Sequence, residues 1–288
     1  MRLLTKFRTI GETPHQLTDL VTARHFGYHH VLQIFLAISI ILTSILLASC
    51  TSPTLSNIYL LSLSYENQPG PLHNDSTQLN PNISSTFSAL AATSLTTHIR
   101  IGFLSFCLSD ATATEPWFCE HHAHALATFI RGSSSDGDDP LNIVWIAKQF
   151  QEEGLFSGLW IAAIILMFAC LILLFTFPRW RNSSDTDSLD QGIKLFPSRT
   201  VSQWALAIAV LASLCAFVSA FWQHISCATG AAMVRSLSYG TVNAVVGPGA
   251  MILAWGSVCL VIVVAVGLLV MILSIGVLED LLRGLMWK

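Results

Sequence analysis

The stretch IGFLSFCLSDATATEPWFC, residues 101–119, contains two of the seven cysteines of a 288-residue chain. A pair such as Cys107 and Cys119 can form a disulfide, ligate a metal, or supply a nucleophile that a neighbouring base activates. The compartment decides which chemistry is open, because thiols are oxidised outside the cell and stay reduced in the cytosol. The position of this stretch relative to a membrane is therefore the first question.

A group of histidines follows directly on Cys119. The sequence CEHHAHA, residues 119–125, offers imidazole, thiolate and carboxylate ligands of the kind that zinc or copper accepts. Its spacing differs from the common zinc patterns, so we interpret the cluster as solvated, with metal binding as the alternative. The stretch SSSDGDDP, residues 133–140, lacks the twelve-residue spacing of an EF-hand and predicts a turn and a helix cap. The weak metal candidates are His121, His122, His124, Asp136, Asp138 and Asp139.

The composition is that of an integral membrane protein. Hydrophobic residues make up 53% of the chain and charged residues only 11%, against about a quarter charged in soluble domains. Four stretches without ionisable residues are each long enough to cross a hydrocarbon core of about 30 Å. The formal charge of -3 and the lack of a Lys/Arg cluster argue against a nucleic-acid partner. We predict an α-helical protein that contacts the lipid bilayer with four spanning helices.

The distribution of charge predicts which side each segment faces. Lys and Arg are concentrated before the first span, between the second and third, and after the fourth, which places both termini in the cytoplasm. N-glycosylation sequons at Asn74 and Asn82 lie in the long loop predicted to be outside, whereas a third at Asn182 is predicted to be cytoplasmic and unmodified. The predicted segments are a cytoplasmic segment 1–30, a span 31–50, an outer loop 51–154, a span 155–177, a cytoplasmic loop 178–200, a span 201–222, an outer loop 223–249, a span 250–277 and a cytoplasmic tail 278–288.

The outer loops carry patterns of secondary structure that position the two cysteines. Strands joined by a turn bring such a pair within bonding distance, and the entropic model values a closed loop of this size at about 3 kcal/mol. We therefore predict a disulfide between Cys107 and Cys119, which leaves Cys119 no thiolate for catalysis. Cys50 and Cys227 are a weaker second pair. The predicted elements are strands within 57–66, 97–109 and 115–120, an amphipathic helix within 138–154, and an edge strand within 239–247.

The layout of a span, a long outer loop with a cysteine motif, an amphipathic segment and three more spans is similar to the claudin-like superfamily. The form of the motif resembles the Fig-one (factor-induced gene) family of fungi, described as calcium regulators and membrane fusion proteins of mating cells. That family usually has Gly where this chain has Ser105, so the Sur-seven and PalI-like cortical membrane proteins of fungi remain the alternative. The motif residues are Gly102, Phe103, Ser105, Phe106, Cys107, Trp117, Phe118 and Cys119.

The resemblance implies a claudin-like four-transmembrane-helix bundle with a small extracellular antiparallel β-sheet, in which Gly102 passes close to a neighbouring strand. It implies a plasma-membrane protein, not an enzyme, that regulates calcium influx and membrane fusion during mating. No cofactor is expected, and a role for calcium is implied only by the resemblance. The expected partners are other membrane proteins, such as a calcium channel or a second copy of the chain. An oligomeric ion channel is the alternative, although spans without ionisable residues argue against a coupled transporter.

Overall fold

The structure is a computed structural model, and it describes residues 28–65, 81–91, 97–110, 117–133, 142–176 and 199–286. Asn74, Asn182 and the three aspartates proposed as weak metal candidates lie outside the described residues. The elements in chain order are α1 Tyr28–Leu47, β1 Leu61–Tyr65, α2 Pro81–Ala91, β2 Thr97–Ile101, β3 Phe106–Asp110, β4 Phe118–Glu120, α3 Ala123–Ser133, α4 Ile143–Gln149, α5 Gly158–Phe175, α6 Arg199–Leu237, β5 Val242–Val246 and α7 Pro248–Met286.

Four of the helices, α1, α5, α6 and α7, are long and apolar enough to cross a membrane, which confirms the predicted number. The third of them continues past the predicted loop boundary, so residues 223–237 are helical. The polar residues Gln223 and His224 mark the end of the apolar run but do not stop a helix. No Pro intervenes before the turn at 238–240, and Ala231, next to Gly230, packs against the sheet.

Small residues allow the four helices to pack closely. The buried face of α6 is a row of alanines at intervals of three and four residues, which is the spacing of one helix face. A hydroxyl cluster joins α1 to α7, because Ser257 Oγ lies 2.8 Å from Ser39 Oγ and 2.7 Å from Thr43 Oγ1. The row on α6 consists of Ala205, Ala209, Ala212, Ala216 and Ala220.

A five-stranded antiparallel sheet lies at one end of the bundle, with the order β4-β3-β2-β1-β5. The predicted edge strand is confirmed as β5, whose one partner among the described strands is β1. The single strand predicted within 97–109 is wrong, because a turn divides it into β2 and β3. The Gly102 amide closes that turn by donating to the Ser105 carbonyl at 2.9 Å.

The two faces of the sheet differ in polarity. One face is buried against α3, α4 and the end of α6, through residues such as Leu63, Ile99 and Leu126. The other face carries the alternate residues of each strand, including His98 and Arg100. This alternation fixes the register of the strands and places the two cysteines of the motif on the same face as Arg100.

Candidate functional site

Cys107 and Cys119 form the predicted disulfide, with an S–S distance of 2.03 Å. They are directly opposed on β3 and β4, and their Cα atoms lie 4.0 Å apart. β4 has only three residues and one neighbour in the sheet, so few backbone hydrogen bonds hold it. The disulfide therefore supplies the covalent connection that this short edge strand needs.

The disulfide lies next to a free thiol that takes no part in it. The carbonyl oxygen of Cys50 is 3.3 Å from Cys107 Sγ, and the Cys50 thiol donates to the Ile58 carbonyl at 3.6 Å. Burial raises the pKa of the Cys50 thiol to about 12, against a smaller lowering effect of the Arg100 guanidinium. The thiol stays protonated at neutral pH and does not attack the disulfide. The weaker pairing of Cys50 with Cys227 was wrong, since both are free.

Gly102 is the point where the sheet meets the bundle. A Cβ atom at Gly102 would lie 2.2 Å from the carbonyl oxygen of Ser49, closer than real Cβ atoms approach. The close neighbour is thus the backbone just beyond α1, and the expected close approach to a strand was wrong. The next residue, Phe103, also contacts Ser49, because its amide donates to Ser49 Oγ at 3.1 Å. The Phe103 ring is buried in the bundle core.

Ser105 also contacts Ser49. Its side chain is buried, and its hydroxyl donates to the Ser49 carbonyl oxygen at 3.2 Å. Glycine, which the related motif usually carries here, has no side chain to make this bond. The departure at Ser105 therefore adds a hydrogen bond between the turn and the backbone just beyond α1.

A second side chain, that of Gln151, also holds this turn. Gln151 lies in the single π-helical turn that follows α4, and its Nε2 donates to the carbonyls of Gly102 and Phe103 at 3.1 and 3.2 Å. The turn is thus tied both to the end of α1 and to the segment that leads into α5. Sequence reasoning missed Ser49 and Gln151, because each acts on residues about fifty positions away along the chain.

Trp117 participates in a cation–π stack. The Arg100 guanidinium carbon lies 4.0 Å from the centroid of the Trp117 ring and 4.9 Å from that of Tyr59. Arg100 Nη1 also donates to the Ser56 carbonyl at 2.9 Å and to Asn57 Oδ1 at 3.0 Å. Arg100 therefore links the loop after α1 to the residue before β4, through stacking and hydrogen bonds together.

The remaining motif residues divide between core and surface. Phe106 is almost wholly buried between the sheet and its helices, whereas Phe118 is exposed on the edge strand. Phe106 thus contributes to the packing of the core, and Phe118 contributes an apolar group to the surface.

The histidine cluster does not converge on a metal site within the described part of the chain. His121 Nδ1 lies 3.0 Å from the Leu104 carbonyl, and its backbone amide donates to Glu120 Oε1 at 3.0 Å. His122 and His124 are exposed. Among the described residues, no three His, Cys, Asp or Glu side chains are placed to hold a metal ion.

The sheet is joined to the end of the helix bundle through the turn at 102–105. This region is held by a disulfide, a stacked cation and hydrogen bonds that connect the turn at 102–105 to Ser49, just beyond α1, and to Gln151, in the segment that leads into α5. No curated protein matches the chain. The profile of the family described as Ca2+ regulator and membrane fusion protein Fig1 matches residues 83–274, about two thirds of the chain, including the whole disulfide motif. The chain belongs to this family, whose description is that of a regulator and not of an enzyme class.

Proposed function

We propose that the chain is a fungal plasma-membrane protein that regulates calcium influx and cell fusion during mating, with its sheet displayed outside the cell. The observation that carries the proposal is the connection of the disulfide motif to the bundle, joined to the family description. Ser49 and Gln151 both bind the turn at 102–105, so a partner that displaces the sheet also pulls on α1 and on the segment before α5.

The outward orientation is supported by two independent observations. A disulfide persists in an oxidising compartment, and this one lies in the sheet. The excess of Lys and Arg in residues 1–30, 178–200 and 278–288 supports a cytoplasmic location for these segments and for both termini. The proposed arrangement is that of a claudin-like bundle, with the sheet resting on the outer ends of its helices.

Glycosylation tests this orientation, because glycans are added only outside the cytosol. Asn82 is exposed in the first turn of α2, and its sequon is complete. We expect Asn82→Gln to remove one endoglycosidase-sensitive increment of mass on a gel, while Asn182→Gln changes nothing. A glycan on Asn182 would reverse the proposed topology.

We propose a regulatory role and not ion conduction by this chain alone. The four predicted stretches hold no Asp, Glu, Lys, Arg or His, and the hydroxyls of Ser39, Thr43 and Ser257 bond to one another in the buried core. Such an interior offers no charged side chain to bind a permeating cation. The bundle would act on a calcium channel or through association with other membrane proteins.

Two measurements test the role. Cells that lack the chain should show reduced calcium influx on exposure to a mating partner, and expression of the chain should restore it. The purified protein in liposomes should carry no calcium flux. Flux in liposomes would instead favour the oligomeric channel, and unchanged influx in cells that lack the chain would contradict the proposed function.

A further inference from the structure

The end of the bundle that carries the sheet has several exposed apolar side chains, and three of them lie close to the ends of the spanning helices. Leu104 is 49% exposed, Phe156 59% and Trp222 53%. They come from three separate parts of the chain, namely the turn between β2 and β3, the link before α5, and α6. Three large apolar groups left uncovered at one end indicate a surface with an apolar partner.

Two of these side chains are fixed at the level where the spanning helices end. Phe156 lies two residues before the first residue of α5, Gly158. The Trp222 indole nitrogen donates to the Gly154 carbonyl at 3.2 Å, which places Trp222 beside the same link. Tryptophan is enriched where a membrane meets water, because one part of its ring system is apolar and the other donates a hydrogen bond.

The third side chain is held near this level by the bonds of the turn. Gly102 touches the backbone of Ser49, two residues after α1 ends, and Gln151 holds the carbonyls of Gly102 and Phe103. The Phe103 ring enters the bundle core, whereas the adjacent Leu104 is exposed. The turn thus lies at the end of the bundle, and its Leu104 side chain is exposed.

The exposed residues of the spanning helices continue this apolar surface away from the sheet. α5 exposes Ile161, Ile165 and Phe168, beginning one turn after Phe156. A helix that crosses a membrane turns such residues towards lipid. Phe156 and Trp222 therefore adjoin the lipid-facing surface of the bundle, and the bonds of the turn hold Leu104 near the same level.

We propose that the turn at 102–105 lies in the interfacial layer of the bilayer and that Leu104 contacts phospholipid, with Phe156 and Trp222 at the same depth. The sheet is then seated on the membrane surface and not carried clear of it. The partner is the phospholipid of the chain's own bilayer, and the proposal holds whichever side of the membrane the sheet occupies.

Photo-leucine tests the contact without changing the shape of the side chain. The full chain is produced with photo-leucine in place of leucine, placed in phospholipid nanodiscs and irradiated, and lipid adducts are mapped by mass spectrometry. Leu214, exposed within α6, is the lipid-facing reference. Leu237 is the water-facing control, because it is 73% exposed and lies fifteen residues beyond Trp222, about 22 Å along the helix.

We expect lipid adducts at Leu104 to approach the yield at Leu214 and to exceed that at Leu237 by about tenfold or more. A lipid-adduct yield at Leu104 no higher than that at Leu237 would overturn the proposal. Cross-links from Leu104 to protein, with none to lipid, would also overturn it. Recovery of the Cys107–Cys119 linked peptides from the same sample shows that the irradiated protein was folded.

Discussion

The double variant Cys107→Ser/Cys119→Ser is expected to lose about 3 kcal/mol of stability in the sheet, the amount that closing a loop of this size contributes. The physical reason is local, since β4 has three residues and only β3 as a neighbour. We expect β4 to separate from the sheet and the protein to be retained inside the cell. The measurements are thermal unfolding of the purified protein, delivery to the cell surface, and calcium influx on exposure to a mating partner.

The matched control is Cys259→Ser, which alters a free and exposed cysteine of α7 and should leave all three measurements unchanged. Removing both members of the pair avoids an unpaired reactive thiol. Normal delivery together with normal influx in the double variant would contradict the structural role of the disulfide.

Gly102→Ala is also expected to be damaging, although it adds a single methyl group. That methyl would lie 2.2 Å from the Ser49 carbonyl oxygen and 2.8 Å from its carbonyl carbon, and backbone atoms do not move aside as a flexible side chain does. Overpacking in a tight core costs about 1–3 kcal/mol and occasionally more. The loss should appear as a lower thermal unfolding temperature and reduced surface delivery.

Two further variants separate this clash from a general effect of replacing glycine. Gly276→Ala should be neutral or slightly stabilising, because no described atom lies within 4 Å of the added carbon and alanine favours the helix. Adding Ser49→Ala to Gly102→Ala should not rescue it, since only the Ser49 hydroxyl contact at 2.9 Å is removed. A stable Gly102→Ala protein would mean that the turn does not sit against Ser49.

The sequence predicted the spanning helices well, because crossing a membrane requires uninterrupted apolar runs that few other structures need. It predicted their ends less well. Beyond Trp222 the chain turns polar, which is typical of a loop, yet α6 continues to Leu237 because the sheet covers Ala231. Local composition cannot report a covering element that comes from distant parts of the chain.

The same limit explains what was found and missed in the candidate site. Cys107 and Cys119 were predictable because their chemistry is distinctive and their spacing is compatible with paired strands. The turn at 102–105 was missed, since its two central residues, Phe103 and Leu104, are apolar and carry none of the usual turn signals. The hydrogen bonds of Ser49 exist only once the end of α1 and the turn meet in space.

α6 extends well beyond the predicted span that ends at Trp222. From Gln223 to Leu237 the helix continues for fifteen residues, about 22 Å along its axis. In the proposed orientation, two cells that both carry the chain would be kept roughly 45 Å apart if these extensions met end to end. Bilayers that merge must come much closer, so the chain would have to tilt or move sideways out of the contact before their lipids could mix.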